Sequence, residues 1–289
     1  MEDDLLRTPR DNRALTEIMA SSANLVEISL GEIEMKESFV HGGFGKVYKA
    51  KWSKKNVVVK VIRTYSEEDK RDVMQEANLT FLVSHPNVID LLGITQLKSW
   101  RTCIVMEEAE HGSLDLWIGK MEHEHLTKIA LGIVDGLKYV HSQNVIHGDI
   151  KPKNVLMCGP KDDMIPKLAD FGAAKIIERT TKSTKVDDDY TYMAPEVAQH
   201  CQYHGSAADI FSLSVMVFEM FNDHLISQAP EEVKRFMLGV HSGRVVKIPK
   251  SSKVPVYISN VIERGLNKNP EERPTLSEYH TTLLKYTYG

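Results

Sequence analysis

A change of hydrophobic pattern divides the chain near Gly112. Before this point, short segments rich in β-branched and aromatic residues follow one another, as in Lys46–Ala50 and Asn56–Ile62. Such segments predict strands, and the short connection between these two predicts an antiparallel hairpin. Beyond Gly112, apolar residues recur at three- and four-residue steps, which predicts helices. Strands first and helices afterwards indicate an α+β fold with two unequal lobes.

Local signals predict three of the helices. Ser66 followed by the acidic residues 67–69 is typical of a helix N-terminus, and this helix should run to about Val83 and stop before His85-Pro86. One apolar stripe predicts a second helix, which contains Leu126, Ile129, Ala130, Ile133, Val134, Leu137 and Val140. A third helix is predicted from about Ala208 to Phe221.

Composition argues against several classes of protein. The apolar share of 42% and the charged share of 26% are typical of a soluble globular chain, and a net charge of -4 supplies no basic surface for nucleic acid. No apolar run approaches the length of a membrane span, and the acidic N-terminus does not begin a secretory signal. Three widely spaced cysteines favour free thiols over a disulfide framework. We therefore expect an intracellular, cytoplasmic protein that neither binds nucleic acid nor inserts into a membrane.

A glycine-rich strand turn lies directly before the predicted strand Lys46–Ala50. Its residues Gly42, Gly43 and Gly45 carry no side chain, so backbone N–H groups there can approach phosphate oxygens. Glycines in a hairpin are more often ordinary turn chemistry. A functional interpretation of this turn therefore depends on the motifs that follow it.

Lys60 ends the apolar strand segment Val57–Val59 and lies fifteen positions past Gly45. Glu76 follows sixteen residues later, on the first predicted helix. A strand lysine held by a helix glutamate is the ion pair that positions the phosphates of ATP in one class of phosphoryl-transfer enzymes. Either residue alone could be an ordinary surface charge. The number of residues between Glu76 and His85-Pro86-Asn87 favours Glu76 as the partner of Lys60 over the acidic residues at the helix start.

A polar segment lies between two apolar runs in Val145–Leu156, which predicts a loop held by strands at the lip of a cleft. Asp149 can accept the proton of an attacking hydroxyl, and Lys151 can neutralise a transferred phosphoryl group. Asn154 can ligate a metal ion through its amide oxygen. Singly, each could be ordinary loop polarity, but that interpretation is poor for the three together. We expect His147 to pack in the core and not to transfer a proton.

Two further motifs follow this loop. Asp170 is a hard oxygen ligand suited to Mg²⁺, Phe171 can pack inward, and Gly172 can let the chain turn. Far apart in sequence, Glu196 and Arg273 could form a buried ion pair. Each motif could arise by chance, but five in this order and with these gaps are poorly explained by chance.

On these residues, the chain from about residue 32 onward resembles the eukaryotic protein kinases. It is most similar to the tyrosine-kinase-like and receptor-interacting type of serine/threonine kinase. The resemblance implies the two-lobed protein kinase fold, with a small β-rich N-lobe that carries one helix and a larger helical C-lobe. It implies an N-terminal extension over 1–31, an N-lobe over about 32–106, a hinge over 107–109 and a C-lobe over 110–289.

The resemblance also implies roles for single residues. The catalytic residues would be Lys60, Glu76, Asp149 and Lys151, and the metal ligands Asn154 and Asp170. The nucleotide would be bound by Val40, Gly42, Gly43, Gly45, Val47, Val58, Lys60, Met106, Glu107, Ala109 and Leu156. Met106 would be the gatekeeper, and the backbone of 107–109 would hold adenine. Asp209 would brace the catalytic loop, and the Lys151-Pro152 pair is the serine/threonine variant of that loop.

Four residues depart from the family pattern. Val40 replaces the first glycine of the turn, and Val58 replaces an alanine that touches adenine. Gly148 replaces the arginine that normally precedes the catalytic aspartate, and Asp189 replaces a threonine three residues before Tyr192. Active members of the family tolerate the first three changes, whereas Asp189 bears on turnover more than on the fold.

The expected function is therefore transfer of the ATP γ-phosphate, with Mg²⁺, to serine or threonine side chains of a protein substrate. The alternative is a nucleotide-binding pseudokinase that acts as a signalling scaffold. A scaffold does not need the complete catalytic set, so its retention favours catalysis; the set is Lys60, Glu76, Asp149, Asn154 and Asp170. The sequence does not predict an oligomeric state.

Overall fold

The computed structural model describes residues 25–42, 45–97, 101–176, 190–200, 205–244 and 247–287. These residues form two compact units. Unit 1 contains the described residues up to Ser84 together with Ile89–Glu108, and unit 2 contains His85–Val88 together with the described residues from Ala109 onward. Unit 1 is built on a sheet with one helix and unit 2 is mainly helical, which confirms the predicted α+β class.

Unit 1 contains a five-stranded antiparallel sheet in the order β1-β2-β3-β5-β4. Its strands are β1 (Ile33–Gly42), β2 (Gly45–Trp52), β3 (Lys55–Arg63), β4 (Leu91–Leu97) and β5 (Arg101–Glu107). Strands β2 and β3 form the predicted hairpin, in which Val47 lies opposite Lys60. The two residues of its turn, Ser53 and Lys54, both have positive φ, as the tight hairpin turn requires.

Apolar side chains cover both faces of this sheet. Successive side chains of a strand point to opposite faces, so β3 sends one set of residues to each side. One cluster contains Ile28, Ile33, Ala50, Val57, Val59, Val61, Cys103 and Val105. The other contains Val73, Ala77, Leu91, Ile94 and Ile104, and it includes residues of the helix that follows β3.

That helix, α1 (Glu67–Leu82), begins where the sequence predicts. The backbone N–H of Asp69 donates to Ser66 Oγ, and the backbone N–H of Ser66 donates to Asp69 Oδ2, each at 3.0 Å. This reciprocal capping box satisfies backbone donors that the first turn would leave unpaired, and an N-cap of this kind is worth about 1 kcal/mol. The predicted stop before His85 is also confirmed.

Unit 2 contains the helices α2 (His123–Ser142), α3 (Pro195–His200), α4 (Ser206–Asn222), α5 (Glu231–His241), α6 (Val256–Gly265) and α7 (Leu276–Thr287). All seven residues of the predicted stripe on α2 are buried. Helix α4 is buried on every side from Ala208 to Asn222, which makes it the central helix of this unit. The predicted bounds of α4 are confirmed to within two residues at each end.

Four short strands in unit 2 hold the predicted loop. Strand β6 (Val145–Ile146) pairs with β9 (Lys175–Ile176), and β7 (Val155–Cys158) pairs with β8 (Ile165–Leu168). Strands of two to four residues are too short for the alternation of apolar and polar residues to be recognised in a sequence. Only β6 and β7, the two strands that flank the loop, were predicted. In the part of the chain that the structure describes, no helix has the length and apolar character needed to cross a membrane.

Candidate active site

In unit 1, Lys60 and Glu76 form an ion pair, with Nζ and Oε1 2.6 Å apart. Lys60 alternates along β3 with Val59 and Val61, which face the other side of the sheet, so its side chain lies on the face covered by α1. Each partner's side chain is 15% exposed. Opposite charges at this depth attract each other more strongly than at an open surface.

The residues predicted to surround the nucleotide base in unit 1 lie on neighbouring strands. Val58 lies opposite Met106 of β5, and Val47 of β2 lies opposite Lys60. Because opposed residues share a face, Val47, Val58, Lys60 and Met106 are brought together on one side of the sheet. Val40 lies opposite Val47 in the register of β1.

The glycine-rich turn is described only in part. Gly42 of β1 lies opposite Gly45 of β2, so these two glycines close the β1–β2 hairpin. Gly43 lies outside the described residues. The phosphate-binding role of this turn therefore stays a prediction.

The predicted hinge begins at the end of β5. The backbone N–H of Glu107 donates to Asp90 O at 3.1 Å, and its carboxylate accepts from the Asp90 N–H at 2.8 Å. Glu108 forms an ion pair with Lys49 at 2.6 Å. Adenine held by this segment would therefore have to use backbone groups other than the Glu107 N–H. Ala109, the last residue of the predicted hinge, belongs to unit 2.

In unit 2, two predicted residues, Asn154 and Lys151, converge on the carboxylate of a third, Asp149. Asn154 Nδ2 donates to Asp149 Oδ2 at 2.7 Å and to the Asp149 carbonyl at 2.8 Å. Lys151 Nζ lies 2.9 Å from the same Oδ2. The Asp149 side chain is still 29% exposed, so the carboxylate is held firmly and remains open to solvent. Leu156, also predicted to touch the nucleotide, follows on β7.

Asp209 of α4 lies under this loop and is buried. Its Oδ1 accepts from the Gly148 N–H and its Oδ2 from the His147 N–H, both at 2.8 Å. His141 Nε2 also lies 2.8 Å from Oδ2. Burial alone would raise the pKa of this carboxyl, but the hydrogen bond and charge of His141, together with the hydrogen bond from the Gly148 N–H, outweigh it and lower the pKa. The resemblance implies that Asp209 braces the loop that carries Asp149, and this contact is present.

Gly148 has a φ of +79°, a conformation in which a side chain would be strained. Its backbone bond to Asp209 holds it there. The departure from arginine at this position therefore suits the backbone geometry of the loop.

His147 is fully buried and acts as a packing and linking residue. Its Nδ1 accepts from the Asp149 N–H at 3.3 Å, so the other nitrogen carries the proton that bonds to Ala169 O at 3.1 Å. The ring centroid lies 4.7 Å from that of Phe171. With both nitrogens engaged in backbone contacts, the predicted packing role is confirmed.

Asp170 has a φ of +64°, which is uncommon for a residue with a side chain. The sequence predicts a turn at Gly172, and residues 171–173 form a 3₁₀ turn that contains it, whereas the left-handed conformation of Asp170 before this turn was not predicted. Phe171 is buried, as predicted. Strain at a polar residue is typical of functional sites, where surrounding structure enforces it.

The oxygen donors fit a hard cation. Asn154 and Asp170 offer an amide and a carboxylate oxygen, and the Ala169 N–H bonds to Asn154 O at 2.8 Å, which ties their segments together. Among the described residues, no group of three or more His, Cys, Asp or Glu side chains could hold a metal ion. Mg²⁺ would therefore need phosphate and water oxygens as well, which is its usual preference.

Glu196 and Arg273 form the predicted buried pair. Two parallel bonds of 2.6 and 2.7 Å join Arg273 Nη1 and Nη2 to the Glu196 carboxylate. The guanidinium also donates to Ala207 O and lies 5.2 Å from the centre of the Phe211 ring. Removal of one partner would leave a buried charge, which costs about 3–5 kcal/mol.

Sequence reasoning missed two supporting residues. His141 lies at the end of α2, where a lone histidine gave no sign of its partner Asp209, 68 residues away. Glu219 is buried in α4, where it accepts from Tyr192 OH at 2.8 Å and from the Ile226 N–H at 2.7 Å. A carboxylate inside an apolar helix needs such partners, and that signal was available in the sequence. Asp189 lies outside the described residues.

Comparisons with known proteins agree with this geometry. Residues 34–285 match the family described as "Protein kinase domain". The chain is 27% identical over 271 residues to "Serine/threonine-protein kinase STY17" of Arabidopsis thaliana, a match that covers 92% of the chain and 46% of that protein. It is 32% identical over 266 residues to "Mitogen-activated protein kinase kinase kinase 10" of Xenopus laevis, over 87% of the chain and 26% of that protein. It is 31% identical over 279 residues to "Mitogen-activated protein kinase kinase kinase 7" of Homo sapiens, over 92% and 44% respectively. The chain thus spans less than half the length of each relative.

Proposed function

The chain belongs to the protein kinase family, and we propose that it transfers the γ-phosphate of ATP to serine or threonine side chains of a protein substrate, with Mg²⁺. The observation that carries the proposal is the convergence of Lys151 and Asn154 on the Asp149 carboxylate. The Lys151-Pro152 pair supports serine or threonine as the acceptor, and so does the printed name of one relative, "Serine/threonine-protein kinase STY17".

Asp149 is the proposed general base. Among the described residues, the side-chain groups that hold its carboxylate both contact Oδ2, so Oδ1 is the oxygen available for a substrate hydroxyl. A positioned base that accepts this proton accelerates transfer by about 10²–10⁴-fold. Lys151 supplies a positive charge beside the reacting oxygen, which stabilises the charge that the transferred group carries.

Lys60 is the proposed phosphate-binding lysine, and Glu76 holds its ammonium group in place. Val47, Val58, Met106 and Leu156 are proposed to contact the adenine, and the backbone of the hinge to orient it. Asn154 and Asp170 are the proposed Mg²⁺ ligands. A bound magnesium ion supplies neutralisation of phosphate charge, and the chain's own residues supply the base and the alignment.

The test is phosphate incorporation by the wild type and by Asp149→Asn. The substitution keeps the size of the side chain and removes the proton acceptor, so we expect a rate loss of about two orders of magnitude or more. Asp162→Asn, a change at an exposed carboxylate between β7 and β8, is the matched control and should leave the rate unchanged. Equal incorporation by wild type and Asp149→Asn would mean that a contaminating kinase explains the signal.

The pseudokinase scaffold is the weaker alternative. It would require neither the Asp149–Lys151 pair nor the Lys60–Glu76 pair, and both are present. An intracellular, cytoplasmic location is also proposed, supported by the three cysteines, which lie far apart in the sequence and favour thiols over a disulfide framework.

A further inference from the structure

Residues Leu25–Ile28, which we call the strap, precede β1 and lie along the edge of β4. The Ile94 N–H donates to Val26 O at 2.9 Å, and the Ile28 N–H donates to Ile94 O at 2.8 Å. Glu27 lies opposite Ile94 in a parallel bridge. Because β4 is the last strand in the sheet order, the strap pairs with an edge that would otherwise present open backbone groups.

The strap contributes side chains to both faces of the sheet. Ile28 is 2% exposed and belongs to the cluster on the face away from α1. Leu25 packs against the opposite cluster, in which Val73 and Ala77 of α1 take part. Val26, on the same short segment, is 48% exposed. The strap is therefore fixed by backbone bonds to β4 and joined through Leu25 to the apolar cluster beneath α1.

Gly93 makes this close approach possible. A Cβ atom at position 93 would lie 2.4 Å from Val26 O and 2.8 Å from Ile28 Cδ1. Real Cβ atoms essentially never come so near, so any side chain here would displace the strap. The close packing of the strap on β4 therefore depends on a specific residue, Gly93.

The cluster beneath α1 also governs where Glu76 lies. Residues three and four apart in a helix share one face, so Val73, Glu76 and Ala77 point to the same side of α1. A shift or rotation of α1 that loosened Val73 and Ala77 would carry Glu76 away from Lys60. Packing in this cluster and the 2.6 Å ion pair are therefore coupled through one rigid helix.

We propose that Leu25 is a positioning residue for phosphoryl transfer. The strap, anchored on β4, holds Leu25 against the cluster, and the cluster holds α1 in the position at which Glu76 meets Lys60. This inference rests on the proposed function, because it assigns Leu25 an effect on the lysine that would bind ATP. It differs from a purely stabilising role, since it predicts a change in the kinetics of the folded enzyme.

The first test compares Leu25→Ala with Leu25→Met and Val26→Ala. We expect Leu25→Ala to raise the KM for ATP and lower kcat, with a combined loss in kcat/KM of about tenfold. The change removes three carbon atoms, each worth about fourfold when fully buried, but Leu25 is only half-buried, which lowers the expected loss. Leu25→Met keeps the apolar bulk and should restore most of the activity. Val26→Ala changes the exposed neighbour and should behave as the wild type.

Gly93→Ala is an independent variant, because it displaces the strap without altering Leu25 or α1. It should reproduce the kinetic defect of Leu25→Ala. Melting temperatures show whether each variant is folded at the assay temperature. If folded Leu25→Ala has the kcat and the KM for ATP of Val26→Ala, the inference is overturned, and Leu25 contributes to stability alone.

The same variants separate this inference from the proposed function. If Asp149→Asn abolishes transfer while Leu25→Ala leaves it intact, the proposed function stands and the inference fails. If the wild type shows no transfer, the proposed function fails and calorimetric affinity for ADP decides the inference. Weaker binding of ADP by Leu25→Ala would support it, unchanged binding would overturn it, and a wild type that binds no ADP would overturn both.

Discussion

The Asp149 loop of unit 2 and the Lys60–Glu76 pair of unit 1 are held in place by different kinds of interaction. The loop is bound to a carboxylate, Asp209, that is 1% exposed and receives three donors. The ion pair is at a partly exposed position, and apolar packing beneath α1 determines whether its partners meet. A buried polar network is rigid because each loss leaves an unpaired group, whereas apolar packing yields by small steps.

This difference has a functional consequence. The proposed base should be fixed whenever unit 2 is folded, while the position of the proposed phosphate-binding lysine should respond to changes at the strap. Control of activity is therefore expected to act on unit 1. The predictions below test this contrast in order of decreasing effect.

The largest effect is expected from Asp209→Ala. The change leaves the buried N–H groups of His147 and Gly148 without an acceptor, so we expect a loss of about 3–5 kcal/mol in the free energy of unfolding. Activity should fall with it, by about two orders of magnitude, because the loop that carries the base loses its support. Chemical denaturation and phosphate incorporation measure the two effects. Asp162→Asn, at an exposed position, should change neither. A free energy of unfolding in Asp209→Ala equal to that of the wild type would contradict the network's proposed role.

Glu76→Gln should separate activity from stability. It removes the charge that holds Lys60, so we expect kcat/KM for ATP to fall about tenfold or more. The free energy of unfolding should fall by only about 1 kcal/mol. Exposed Glu68 of the same helix provides the control Glu68→Gln, which should be neutral in both respects. A loss of stability as large as that of Asp209→Ala would remove the contrast between the two regions.

Acid should weaken the loop network in a specific pH window. Because the folded state lowers the pKa of Asp209, its stabilising contribution is complete above the unfolded pKa, about 3.9, and is lost as the pH falls through the folded value. Wild-type protein should therefore lose more thermal stability than Asp209→Asn as the pH is lowered from about 5 to 3. Melting temperatures over this range provide the measurement. Parallel curves for the two proteins would show that Asp209 does not contribute in this way.

The pairs Lys60–Glu76 and Glu196–Arg273 could be predicted from the sequence. Their residues belong to motifs whose order and spacing resemble those of the protein kinases. The strap could not be predicted in the same way. It makes one parallel bridge to β4, and four residues are too few to show a period. His141 was missed because its partner is remote in sequence. The left-handed conformation of Asp170 was missed because local propensity favours glycine for that conformation, and Gly172 lies only two residues away.

The smallest effect is expected from removal of phosphate. Phosphorylation commonly orders the segment after the Mg²⁺-binding aspartate by pairing a phosphate with an arginine beside the base, and Gly148 offers no guanidinium there. Of the candidate acceptors, Thr180, Thr181, Ser183 and Thr184 lie outside the described residues, whereas Tyr190 is described and exposed. Phosphatase treatment should therefore leave kcat/KM unchanged, even if the enzyme phosphorylates itself.

The control for this prediction is Gly148→Arg, which places the family's arginine beside the proposed base. This arginine is not expected to create a working partner for a phosphate. At a φ of +79°, Gly148→Arg would strain the loop by about 1–2 kcal/mol, so activity should drop and not become dependent on phosphate. Phosphatase treatment and mass spectrometry of the wild type establish whether phosphate was present and removed. Loss of activity on dephosphorylation, restored by phosphate at one of these sites, would show that another cation replaces the arginine. Regulation would then act on unit 2 as well, and the contrast between the two regions would be limited to stability.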